Sequence, residues 1–246
     1  MTSSSPGPTW SDIADWYDEL LVSGSGPHET ALACLADLLP PVDGLTVIDV
    51  ACGQGIASRL LAAAGATVTG TDLSPAMLAN AQAHGTPGGR EIRYVEADAQ
   101  TLAPFAPGTF DGAVCQLALM DVPDLDAVLN AVARVLRPGG WLVFVIGHPC
   151  FLVPEAGRAL VDGKPAVTIR GYFDERFWRS TNPNGVRRAG NHHRMLSTYL
   201  NALVAAGFGV EETREPSAGP LLAEQQPLYS EVPIFFGARV RLDRTA

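Results

Sequence analysis

Val47-Ile48-Asp49-Val50-Ala51-Cys52-Gly53-Gln54-Gly55 is the stretch on which the reading of the fold turns. A short run rich in β-branched residues (45–50) enters a turn holding two glycines, and an apolar segment of helical character (56–64) follows. Two glycines let the backbone approach a ligand closely, and the start of the next helix offers it free N–H groups. Asp72 lies nineteen residues beyond Gly53, at the end of the next strand, 67–71. A carboxylate there can accept hydrogen bonds from both ribose hydroxyls of an adenosine. A dinucleotide fingerprint carries a third glycine, and that position is Ser58 here. Asp49 also sets a negative charge just before the turn. Both features disfavour a pyrophosphate and suit a cation, an ammonium or a sulfonium.

Outward from this turn, strands and helices alternate. Strands are expected at 92–96, 110–117 and 141–146, and helices at 75–83 and 125–136. Ser74 reads as an N-cap with Pro75 in the first helical position. Upstream, helices are expected at 11–22, with Ser11 as N-cap, and at 28–39, after a frayed tail at 1–9. Downstream, a helix at 194–206 ends at Gly207, and two last strands follow at 208–213 and 232–240. Residues 148–190 show no clear period. The pattern predicts one α/β domain over residues 1–246 with a doubly wound, mostly parallel sheet.

Composition narrows the function. The 246 residues are 47% hydrophobic and 17% charged, enough to bury a core and against wholesale disorder. No uncharged apolar run is long enough to span a membrane, and the start of the chain lacks the basic and apolar regions of a signal peptide. A formal charge of −9 argues against general nucleic-acid binding. Cys34, Cys52, Cys115 and Cys150 form no metal-ligand spacing and no disulfide framework, so a reducing cytoplasm and no metal are expected.

The ordered motifs resemble class I S-adenosylmethionine-dependent methyltransferases. Asp49-Val50-Ala51-Cys52-Gly53-Gln54-Gly55 is similar to the family's first motif, with Ala51 where glycine is usual, a departure that fits if its φ is negative. Thr71-Asp72-Leu73-Ser74-Pro75-Ala76-Met77-Leu78 resembles the second. Glu96-Ala97-Asp98-Ala99, Phe110-Asp111-Gly112-Ala113-Val114 and Arg134-Val135-Leu136-Arg137-Pro138-Gly139-Gly140-Trp141-Leu142 resemble later segments, so the likeness covers about residues 45–147.

The resemblance implies a Rossmann-like methyltransferase fold: a seven-stranded sheet with its last strand antiparallel. N-terminal helices (10–40) lie over the cofactor, 45–147 bind it, an insert after strand five (148–190) caps the substrate, and 191–246 complete the sheet. S-adenosyl-L-methionine is the implied cofactor. Asp49, Ala51, Gly53 and Gly55 belong to its first motif, Gly53 and Gly55 on the methionine side. Asp72 takes the ribose, and Leu73 and Met77 pack near the adenine. Asp98 and Ala99 bind the adenine edge. Gln116 and Leu117 face the reaction centre, and Tyr17 helps close the pocket.

The substrate belongs at the carboxyl ends of the strands. The N-terminal helices, the loop 118–124 and the insert reach that edge. A phenol, amine or hydroxyl acceptor calls for a base where its proton must leave. His148, directly after strand five, leads the candidates, followed by His193, Tyr172 and Glu175. His28 reads as a helix-start residue. Residues 170–194 hold six arginines and a net +4, a group able to recognise a carboxylate or phosphate or to form surface ion pairs.

Several insert marks, among them Gly147-His148-Pro149, Gly171-Tyr172-Phe173, His193-Arg194 and Glu215-Pro216, resemble a bacterial branch that methylates small molecules. The expected function is methyl transfer to N, O or C of a small molecule, an aromatic or indole natural product included. An NAD-type oxidoreductase and a catalytically silent binding protein are the alternatives. Neither nucleic acid nor membrane is an expected partner, and monomer or homodimer stays open.

Overall fold

The computed structural model describes residues 7–243 other than 87 and 89; the start of the expected frayed tail, 1–6, lies outside them. Helices α1 (Ala14–Val22) and α2 (Gly26–Leu38) precede β1 (Thr46–Val50), α3 (Ile56–Ala63), β2 (Thr67–Asp72), α4 (Pro75–Ala83) and β3 (Arg93–Glu96). Next come β4 (Phe110–Gln116), α5 (Leu125–Val135) and β5 (Leu136–Gly147). The insert holds β6 (Gly157–Val161), β7 (Lys164–Thr168) and β8 (Arg176–Trp178), and β9 (Asn191–His193) follows it directly. Then α6 (Leu196–Ala205), β10 (Phe208–Arg214), α7 (Pro220–Gln225) and β11 (Phe235–Leu242) close the chain.

Seven strands form one sheet in the order β10-β11-β5-β4-β1-β2-β3. β1 through β5 pair in parallel, while β11 runs antiparallel to both β5 and β10. The two-residue period of a strand sorts its side chains between two helical layers. Val47, Val143 and Val145 face Leu35 and Leu38 of α2 and Leu61 of α3. Ile48, Phe144 and Ile146 face Val128, Leu129 and Val132 of α5 and Tyr199 and Leu203 of α6. Residues 142–146 of β5 are wholly buried, as a strand covered on both faces requires.

Four expectations shift. β5 begins at Leu136 rather than Trp141, because Leu136 pairs with Phe110 before a register shift lets Trp141 pair with Gly112. The first helix opens as a 3-10 turn, Ser11–Ile13, and Ser11 does not cap it; its Oγ donates to Ser74 Oγ at 2.7 Å, tying the N-terminal segment to α4. The last strand starts at Phe235 rather than 232. The insert forms one hairpin and the first strand of a second, which β9 completes just beyond it. One turns at Asp162-Gly163, both with positive φ (51° and 77°), the dipeptide that suits a tight hairpin. The other, β8 with β9, joins segments too far apart in sequence to show a local signal. Ser74 does cap α4, accepting from the Met77 N–H at 3.2 Å. Among the described residues no helix is long and apolar enough to cross a membrane.

Candidate active site: two cavities joined by a neck

The sheet reverses its winding between β1 and β4, and a crevice opens at the carboxyl ends of those strands. It holds a cavity of about 330 Å³. Of the residues expected to bind cofactor, Tyr17, Asp49, Ala51, Gly53, Asp72, Leu73, Met77, Asp98, Ala99, Gln116 and Leu117 all line it. Gly55 does not. It caps α3 with φ 78°, and a β carbon there would come within 2.3 Å of Tyr94 Oη. Gly53 has φ 53° and open space where its side chain would be. The two glycines therefore serve different ends: Gly53 keeps the backbone bare toward the cavity, and Gly55 lets the helix pack. Gly55→Ala should lower stability by more than about 2 kcal/mol through strain and overlap, seen as a fall in the denaturant midpoint.

Ala51 takes φ 53°, left-handed rather than the negative value at which alanine in place of the usual glycine would fit. That conformation costs an alanine roughly 1–2 kcal/mol. Ala51→Gly should leave the melting temperature unchanged or raise it, since relief of strain offsets the entropy of a new glycine. Leu117, at the end of β4 across the crevice, also has a positive φ, 54°.

The electrostatics of the crevice centre on two carboxylates, Asp49 buried and Asp72 half-buried. Asp49 Oδ2 accepts from Ser58 Oγ at 2.6 Å, while Oδ1 is buried without a partner. Burial pushes its pKa up to about 7. Ser58, where a dinucleotide site has glycine, thus orients Asp49. Asp72 accepts from Gly53 N at 2.8 Å through Oδ2 and from Ser74 N at 2.9 Å through Oδ1. Each oxygen keeps a further lone pair for a hydroxyl, and burial raises this pKa as well. Gln54 Nε2 is likewise buried without a partner. Leu73 is 65% exposed, an apolar side chain left open at the cavity rim rather than packed in the core. A cationic amino acid fits the unpaired Asp49 oxygen, and a ribose fits Asp72.

A second cavity, about 550 Å³, lies under the insert. The two share Trp10, Tyr17, His28, Leu117 and Asp121, which form a neck between them. His28 sits in the first turn of α2, which begins two residues earlier than expected, at Gly26, and it also stands in this neck. Its Nε2 bonds Tyr17 Oη at 2.9 Å and its Nδ1 bonds Ser25 Oγ at 2.7 Å. Burial lowers its pKa to about 4, so the ring is neutral. Burial together with Asp121 and Asp72 raises the Tyr17 phenol, which keeps its proton. The Asp121 carboxylate makes no hydrogen bond among the described residues, and burial raises its pKa well above the usual carboxylate range.

The four expected catalytic residues are not brought to either cavity. His148 is 2% exposed; its Nδ1 accepts from Cys150 N at 3.1 Å and its Nε2 donates to Glu215 Oε1 at 2.6 Å. The imidazole packs against Phe151 and Phe236, with ring centres 4.8 and 6.1 Å away, and with both nitrogens taken it lines neither cavity. His193 Nε2 donates to the Tyr172 carbonyl at 2.8 Å. Tyr172 Oη accepts from Leu196 N at 3.1 Å, and Glu175 Oε1 accepts from Met195 N at 2.7 Å, so both close the start of α6. These side chains hold the cap together. Sequence reasoning named the loop 118–124 but missed Asp121 within it, although a lone acid in the apolar run Leu117-Ala118-Leu119-Met120-Asp121-Val122 was a visible signal. No cluster of three His, Cys, Asp or Glu among the described residues is arranged for a metal.

This fold and crevice define an α/β enzyme with a nucleoside cofactor at the switch point of its sheet. Residues 48–144 match the family described as a methyltransferase domain. A crystal structure of an S-adenosylmethionine-dependent methyltransferase from Mesorhizobium loti is 31% identical, with a TM-score of 0.73 over 89% of this chain and 99% of that one. A Methanosarcina mazei methyltransferase is 22% identical, TM-score 0.60 over 85% and 96% of the two chains, a likeness of fold.

Among curated proteins, a ubiquinone biosynthesis O-methyltransferase from Paracidovorax citrulli is 44% identical over 112 residues, 44% of this chain and 46% of that protein. One from Thiobacillus denitrificans is 41% identical over 108 residues, 44% and 47% of the two. The chain spans about half the length of the curated relatives it matches. The chain belongs to the S-adenosylmethionine-dependent methyltransferases, and S-adenosylmethionine is its cofactor. The oxidoreductase alternative falls with that membership.

Proposed function

We propose that the protein is a cytoplasmic enzyme that methylates a small molecule held in the second cavity, with oxygen as the acceptor atom. The observation that carries this reading is the neck: two cavities meet at Tyr17, His28, Leu117 and Asp121. When bound, the cofactor supplies an electrophilic methyl group on a sulfonium. In this reading Asp49 holds the cofactor's ammonium, Asp72 its ribose, and Asp98 with Ala99 its adenine edge. Tyr17 and His28 brace each other at the neck and exclude water from it. Asp121 takes the proton from the acceptor's hydroxyl; a carboxylate with a raised pKa is a stronger base than an ordinary one. Oxygen is further supported by the O-methyltransferases that the cofactor-binding half resembles.

The whole chain acts as one unit. Residues 10–40 cover the cofactor, 45–147 bind it, 148–190 cap the acceptor and 191–246 complete the sheet. The acidic balance of the chain favours a small acceptor over nucleic acid.

A crystal structure with S-adenosylhomocysteine tests the arrangement. The adenosine is expected beside Asp72 and Asp98 with the sulfur toward the neck; a ligand lying elsewhere contradicts it. Affinity should also depend on pH. Asp49 titrates at about 7 in the free protein, and a cationic ligand prefers its ionised form. Binding of S-adenosylmethionine should therefore tighten between pH 5.5 and 7.5, and Asp49→Asn should remove most of that slope. The sign for stability is opposite. A carboxyl whose folded pKa exceeds its unfolded value favours the folded state at low pH, so the free protein should lose stability as pH rises from about 4 through 7. Calorimetry and thermal unfolding at three pH values read both effects.

A further inference from the structure

The second cavity has a charge pattern of its own. Its charged lining consists of Arg158, Arg187 and, in the neck, Asp121, since His28 is neutral. Arg158 is exposed and bonds Gln226. Arg187 lies deeper. Its guanidinium stacks 5.5 Å from the centre of the Trp178 ring, and its Nη1 reaches the Leu152 carbonyl at 3.4 Å. Its Nη2 stands over Gly147 at the carboxyl end of β5, where a β carbon would come within 3.0 Å of it.

No carboxylate among the described residues lies within 4 Å of Arg187. Trp178 also lines the cavity, and its indole N–H is buried without a partner. The other arginines of the basic stretch are used otherwise where partners are seen. Arg176 pairs with Asp174 and Glu155, Arg179 bonds the Pro8 carbonyl, Arg188 covers Trp16, and Arg194 ties down carbonyls of the loop 118–124. Of the six, Arg187 is the one that lines the cavity.

A guanidinium drawn out of water with donors to spare is costly until an anion completes it. We infer that Arg187 binds a carboxylate carried by the methyl acceptor, with the Trp178 indole N–H as a second donor. The flat fork of one guanidinium matches the two oxygens of a carboxylate, and the Trp178 ring beside it restrains where that fork lies. Asp121, farther off than an ion pair, is left free for the proton. The inference rests on the reading of the second cavity as the acceptor's site.

The test is calorimetry of the full chain, first with S-adenosylhomocysteine and then, with that ligand saturating, with paired aryl probes. The probes are benzoate, 4-hydroxybenzoate and indole-3-carboxylate, each against its carboxamide. At least one acid should bind about tenfold or more tighter than its amide, and Arg187→Met should cut that preference to under about threefold. S-adenosylhomocysteine affinity should be the same in both proteins. An acid preference absent from every pair, or intact in Arg187→Met, overturns the inference. If Arg187→Met does not fold, Arg187→Lys keeps the charge and loses the fork; the preference should still fall at least about threefold, and an unchanged preference overturns the inference. Loss of S-adenosylhomocysteine binding in the wild type would strike the cofactor site instead, so the two failures are told apart.

Discussion

Asp121→Asn should lower turnover about 10²- to 10⁴-fold while S-adenosylmethionine affinity stays within about threefold. The carboxylate stands in the neck between the cavities with no hydrogen bond of its own among the described residues. Burial raises its pKa and Arg187 partly offsets that. Asparagine keeps the shape and loses the proton acceptor. The base form is the active one, so the wild-type rate should climb with pH through the raised pKa, and the variant should lose that limb. A kcat within a factor of three of wild type, with the same pH profile, would remove Asp121 from the chemistry. His28→Ala should instead disturb both KM and kcat, because Tyr17 then loses its brace.

The second large effect falls on Asp72. In the proposed role, removal of its carboxylate takes away two charge-assisted hydrogen bonds to ribose, each worth roughly 1.5–3 kcal/mol, so affinity should drop about 10²-fold or more. The structure adds a complication, because the same oxygens accept from Gly53 N and Ser74 N. Asp72→Ala therefore loosens the glycine turn as well. Asp72→Asn separates the effects: it keeps one acceptor oxygen for the backbone but presents an NH₂ where the other was. Both variants should bind weakly, with Asp72→Asn the more stable in thermal unfolding. An unchanged dissociation constant in either folded variant would contradict the ribose role.

The parts of the molecule governed by local chemistry could be read from the chain. The G-x-G turn, the acid at the end of β2 and the Ser74-Pro75 cap each follow from what a few neighbouring residues can do, and most expected cofactor residues do line one cavity. Gly55 and Ala51 show the limit of that reading. Whether a glycine is bare toward a ligand or toward Tyr94, and whether an alanine must take a left-handed conformation, depends on packing partners distant in sequence.

The substrate side was less legible for the same reason. His148 follows β5 immediately, but adjacency to a strand end does not say which way the chain turns next. Here it turns so that Cys150 N and Glu215 take both ring nitrogens. β8 finds β9 across a loop of a dozen residues, and that pairing brings Trp178 and Asn191 side by side at the second cavity. Six arginines could be counted in the basic stretch, but which one lines the second cavity depends on contacts no sequence period encodes.

Methyl transfer itself can be followed with S-adenosylmethionine carrying a CD₃ group, incubated with the enzyme and a metabolite extract and read by mass spectrometry of the fractionated mixture. The account predicts CD₃ on a molecule of low mass, on oxygen, acidic in chromatography, and absent when Asp72→Ala replaces the wild type. Label confined to protein or nucleic acid, or no transfer by an enzyme that binds the cofactor, would contradict it.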